Sequence, residues 1–87
     1  MMHQYLSEVD KMPTMETFRK HRGMPFVKRG MRVYFAHYKR HGRVTSANAS
    51  GNLNIRFDNE TRTVSCHPCW MMDYLDEDGN VVASYRD

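Results

Sequence analysis

With 87 residues the chain can form one domain, and a chain of this length buries only about 60–65% of its extended surface, so its core is small. Its 40% hydrophobic and 26% charged residues are ordinary for a globular protein, and no apolar run nears the roughly 20 residues a membrane-crossing helix needs. The net charge of +3 hides an asymmetry: residues 17–57 hold ten cations and no acid, whereas residues 58–87 hold Arg62 and Arg86 against seven acids.

A basic field of that extent favours a polyanionic partner, nucleic acid first and an acidic protein surface second. A solvated basic face without a partner is the plain alternative. The opening MMHQYLSEVD lacks the basic and apolar regions of a secretory signal, so the cytoplasm is the expected location. Two cysteines separated by two residues cannot staple distant elements, which argues against a secreted disulfide framework.

The first predicted element is a helix in MPTMETFRKHRGMP, residues 12–25. Thr14 suits the N-cap, Glu16 the positive first turn, and Arg19, Lys20 and Arg22 the negative last turn; Gly23 suits the left-handed C-terminal position. Met15 and Phe18 share one face. Two turns are not stable alone, so this helix must dock. A further helical turn is expected within residues 3–11. Residues 1–26 form a helical and linker segment, and residues 27–87 the domain proper.

From Val27 the period becomes two. MRVYFA (31–36) sets Val33 and Phe35 against Arg32 and Tyr34; HGRVTSA (41–47) supplies Val44; NLNIRFD (52–58) sets Leu53, Ile55 and Phe57 against Asn54 and Arg56. TRTVSC (61–66) puts Val64 and Cys66 on a common face. A fifth strand falls at Asp73–Leu75 or, past the Glu77-Asp78-Gly79-Asn80 turn, at Val81–Tyr85. Short strands spaced by about 9–12 residues and joined by Gly/Asn turns predict a mainly β fold, a small antiparallel barrel or sandwich of about five strands.

The order GMRVYF, loop, GRVTSA, turn, GNLNIRFD, turn, TRTVSC, tight turn, DYL resembles SH3-like small barrels, and its Gly-x-x-Val and Gly-x-Val openings resemble KOW-type nucleic-acid-associated barrels. SGNLNIRFD followed by CHP-x-W, an aromatic-Leu-Asp and DGNV is similar to a group of small phage and prophage proteins. The resemblance spans residues 27–82 and brings no catalytic motif with it. Type II dihydrofolate reductases share the barrel outline, but their Val-Gln-Ile-Tyr active-site strand has no counterpart here. No enzymatic activity and no cofactor are expected.

Two segments hold candidate chemistry. In SCHPCW (65–70), a redox pair would need a helix N-terminus after a βαβ strand. A zinc site would need Cys66 and Cys69 completed by His37, His41 or His67. The preferred reading is architectural: Cys66 ends a strand pointing inward, and Pro68 opens a turn that carries Trp70 into the barrel mouth. The basic loop HYKRHGR (37–43) offers Lys39, Arg40 and Arg43 to phosphates and Tyr38 to a base; Arg32, Tyr34 and Arg56 extend this surface along the strands. These seven residues form the expected nucleic-acid-binding set. The alternatives are a protein-interaction module, working through a sheet edge or the Trp70-Met71-Met72 region, and a small zinc-stabilised domain. Oligomeric state stays open.

Overall fold

The computed structural model describes residues 14–86; the expected helical turn within residues 3–11 lies outside them. The helix α1 runs Met15–Arg22. The Thr17 N–H donates to Thr14 Oγ1 at 3.0 Å, Gly23 takes φ 65°, and the Met24 N–H closes on the Arg19 carbonyl at 3.0 Å. Both ends of the helix are thus satisfied as anticipated. Docking comes from Met15 and Phe18, which enter one core with Met24, Val27 and the strands.

The basic end of the helix works at a distance. Arg19 Nη1 donates to the Val27 carbonyl at 2.7 Å and Arg22 Nε to the Gly51 carbonyl at 2.9 Å. These two guanidinium groups fasten the helix to the loop ahead of the sheet and to a turn inside it. They therefore belong to the architecture.

Six strands follow: β1 Arg32–Phe35, β2 Arg40–Ala47, β3 Leu53–Phe57, β4 Thr63–Cys66, β5 Met72–Leu75 and β6 Val81–Tyr85. They form a single antiparallel sheet in the order β4-β3-β2-β1-β5-β6. Both segments weighed for the fifth strand are strands, giving six among the described residues where about five were expected. The pairings leave β4 and β6 as edges, so the sheet is open. Chain neighbours pair throughout except where β5 returns to lie beside β1.

Alternation holds where one face alone is covered: Val33 and Phe35 in β1, and Leu53, Ile55 and Phe57 in β3, are buried. In β5 all four residues are buried, because its outward Asp73 is covered from β6 and beyond by Ser84 and Arg86, each 2.6 Å from the carboxylate. Val64 shares the inward face with Cys66, opposite Ile55, yet stays exposed. It sits on an edge strand and has no neighbour on its outer side.

Two features shape the pairing of β2 with β3. Strand β2 carries a bulge between Val44 and Ser46, which increases twist and lets one strand curve. A Cβ at Gly42 would lie 2.8 Å from the Arg56 carbonyl oxygen and 2.9 Å from Ile55 Cγ2, so only glycine lets β2 approach β3 there. Below, the buried Tyr74 hydroxyl donates to the Pro68 carbonyl at 2.6 Å and pins the turn ahead of β5.

Gly42→Ala forces two backbones apart and is expected to cost about 1–3 kcal/mol. Tyr74→Phe leaves a buried carbonyl without its donor and is expected to cost about 1–3 kcal/mol. Urea denaturation of each variant checks both values.

Candidate nucleic-acid interface

Antiparallel register decides which outward side chains meet. Arg32 of β1 lies opposite Arg43 of β2, and Arg43 lies opposite Arg56 of β3. Three arginines thus stand side by side across three strands. Like charges directly opposite one another destabilise a sheet, so this row works against the fold's own stability. Part of the conflict is relieved locally. Arg32 Nη1 donates to both oxygens of Asp58 at 3.0 and 3.2 Å, and Arg43 Nη1 donates to the Gly30 carbonyl at 2.8 Å. Arg56 is exposed. Together with Phe57 and the Asp58–Glu60 turn, the three arginines line a shallow depression of about 470 Å³.

The other four expected residues lie around this row. Arg40 bridges to the same turn, donating to the Asp58 carbonyl at 2.7 Å and pairing with Glu60 at 3.2 Å; its guanidinium also sits 5.5 Å from the centre of the Phe57 ring. Lys39 is exposed at the tip of the β1–β2 connection. Tyr34 lies on the outward face two residues from Arg32, its ring 4.8 Å from that of His41 and 5.9 Å from the Arg86 guanidinium. Tyr38 stands apart from Tyr34, at the end of the sheet, with its ring 4.9 Å from Phe35 and 5.4 Å from Phe57. The seven residues therefore form an arginine row with Tyr34 and an end group of Tyr38, Lys39 and Arg40. The turn Asp58–Glu60 links the two.

Carboxylates shape the field. A larger groove of about 850 Å³ is lined by Lys28, Arg29, Arg32 and Arg43 together with Asp76, Glu77 and Asp78. Asp76 is held below the usual carboxylate range by the Asn80 N–H, 2.8 Å away, with help from the Asp78 N–H. It stays charged and opposes the cations across that groove. The acidic turn thus counters the cations that line this groove, Arg32 and Arg43 included, whereas Arg56, Lys39 and Arg40 lie outside it.

The end group has companions that the sequence reading placed elsewhere. Trp70 is 40% exposed and does not enter the interior. Its ring rests 5.8 Å from Phe35 and 5.0 Å from His37, which in turn lies 5.6 Å from Tyr38. Phe35, itself buried and stacked on Phe57, packs against the Trp70 ring, which stays partly in water. The residues following Tyr38 and Trp70, Lys39 and Met71, both have positive φ (58° and 54°). Such backbone costs on the order of 1–3 kcal/mol at a non-glycine residue. Linear sequence held no signal for this grouping, because 33 residues separate His37 from Trp70.

The cysteine motif is a turn. Cys66 and Cys69 are free thiols, and Cys66 is buried at the end of β4. Burial pushes its pKa up to about 11, the reverse of what a redox nucleophile or thiolate ligand needs. Cys69 lies 3.8 Å from the Met24 sulfur, and the His67 ring accepts from the Cys69 N–H at 3.0 Å. Among the described residues no three His, Cys, Asp or Glu side chains converge on a point that could hold a metal ion, and no helix is long and apolar enough to cross a membrane.

Comparison with protein-family models, with curated proteins and with solved structures returns no match for this chain.

At pH 8 the folded protein is expected to be alkylated at Cys69 and spared at Cys66 until urea exposes it, as peptide mapping will read. Because burial favours the neutral Cys66 thiol, the stability it contributes is present below about pH 9 and is lost as pH rises through about 11. The buried Tyr74 phenol is pushed up further, so its contribution begins to fall only above about pH 10 and keeps falling beyond that window. Melting temperatures across that window check the sign.

Proposed function

We propose that the chain is a non-enzymatic nucleic-acid-binding module. It works by phosphate neutralisation on the row Arg32, Arg43 and Arg56, extended by Lys39 and Arg40, with Tyr34 and Tyr38 among the cations. The observation that carries this reading is the register pairing Arg32 with Arg43 and Arg43 with Arg56. A sheet that aligns three like charges across adjacent strands accepts a local penalty that an anion removes. The Asp58 and Glu60 carboxylates are exposed partners, and exposed ion pairs are worth about 0–1 kcal/mol, so an incoming phosphate can exchange with them. Contacts of this kind release counterions and carry little base-specific information.

An SH3-like architecture is part of the same proposal. Its support is the strand order, in which β1 lies between β2 and β5 after a four-strand meander; β6 then extends the sheet beyond β5. The likeness of residues 50–81 to small phage proteins suggests an origin and adds no chemistry to the site.

A second reading, a protein-interaction module, is favoured by β6. This edge strand carries no charged residue, and its Val81 and Val82 are 55% and 49% exposed, which is how sheets accept an added strand. A bound protein would protect the amides of Val81–Tyr85 from hydrogen exchange, whereas nucleic acid would leave them unchanged.

If about four of the five cations meet phosphates, log affinity for a mixed oligonucleotide should fall against log salt with a slope near −3 to −4. Arg56→Glu is expected to weaken binding by about tenfold or more at low salt and to flatten the slope by about one or more. Fluorescence anisotropy at several salt concentrations measures both. No binding at low salt, or binding indifferent to salt, would remove this function.

A further inference from the structure

We infer that the ring cluster Trp70, His37 and Tyr38 at the end of the sheet is a stacking site for an unpaired nucleobase, which makes single-stranded nucleic acid the ligand. This deepens the reading above and rests on it.

The cluster is built to hold its shape while open to solvent. Trp70 and Tyr38 are 40% and 48% exposed, and Phe35 supports all three rings from beneath at 4.9 to 5.8 Å. A grouped exposure of aromatic surface marks a contact site rather than scattered apolar residues. The two loops that carry the rings are joined by one hydrogen bond, from the Ala36 N–H to the Met71 carbonyl at 2.8 Å. Tyr74 anchors the second loop from below through the Pro68 carbonyl. Positive φ at Lys39 and Met71 turns the backbone immediately after each exposed ring. A platform fixed in this way loses little freedom when a flat ligand settles on it.

Charge selects the occupant. Residues 36–41 and 67–71 contain Lys39, Arg40 and three histidines and no carboxylate; the neighbouring Glu60 is taken up by Arg40. A cationic ligand, the usual guest of an aromatic cage, would meet like charge here. A nucleotide supplies both halves of the match, a π face for the rings and a phosphate for Lys39 and Arg40. Duplexes hide base faces inside the stack, whereas single strands offer one at every position.

Trp70 is the chain's only tryptophan, so its fluorescence reports on this site alone. The test titrates the full chain with an oligothymidylate, an oligouridylate and a duplex of equal length at two salt concentrations. It follows tryptophan emission together with anisotropy of a labelled strand. Expected are quenching by the single strands and tighter binding to them than to the duplex. Trp70→Ala should lower single-strand affinity by about 5- to 150-fold with the salt slope unchanged, and Trp70→Phe should restore most of it. Salt-dependent binding that is equal for single strand and duplex, with emission unmoved, overturns the stacking site and leaves the phosphate-binding row standing. Absence of binding to every probe overturns both.

Discussion

Antiparallel register is the constraint on which the rest of this structure depends. In a strand, a slip of one residue exchanges the two faces. The register that buries Val33, Phe35, Ile55 and Phe57 is therefore the same one that stands Arg32, Arg43 and Arg56 in line outside. Gly42 sits at the tightest point of that arrangement, inward and opposite both Val33 and Phe57, where a side chain would strike the backbone of β3. Core and basic row are two consequences of one pairing. A change that loosens the first will scatter the second.

The cations of residues 17–57 divide into groups with different surroundings. Of the ten cations in residues 17–57, Arg19 and Arg22 spend their guanidinium groups on main-chain carbonyls that hold the helix in place. Lys28 and Arg29 line a groove together with Asp76, Glu77 and Asp78. Lys20 stays exposed on the helix, and the other five lie on β1 to β3 and the β1–β2 connection, with the Asp58–Glu60 turn as their internal counter-charge. Arg40 has a double attachment to that turn, so the turn orders the end of the interface while partly screening it. Rigid placement and reduced net potential come from the same two carboxylates.

Much of the fold was legible locally. Thr14, Glu16 and Gly23 mark the helix because capping is decided within one turn of chain, and the alternation of Leu53, Ile55 and Phe57 marks a strand because one face must be buried. Trp70 was misplaced for the opposite reason. Pro68 says that the chain turns, but where the ring comes to rest depends on Phe35, which lies far away in sequence and packs against it. The double strand at the C-terminal side was similarly ambiguous. Asp73 points outward from β5 and is nevertheless buried, because Arg86 and Ser84 cover its carboxylate.

The sequence by itself determined that the domain is mainly β with a short helix ahead of it, that ten of the chain's 13 lysines and arginines fall within residues 17–57, and that Cys66 turns inward at a strand end. Each of these follows from propensity, period or composition over a few neighbouring residues. Only the tertiary structure decided that three arginines stand abreast, that Asp58 and Glu60 belong to their surroundings, and that Trp70 joins His37 and Tyr38 in an open platform. Those groupings bring together residues from separate strands and loops, and strand pairing and the filling of a shared core decide them.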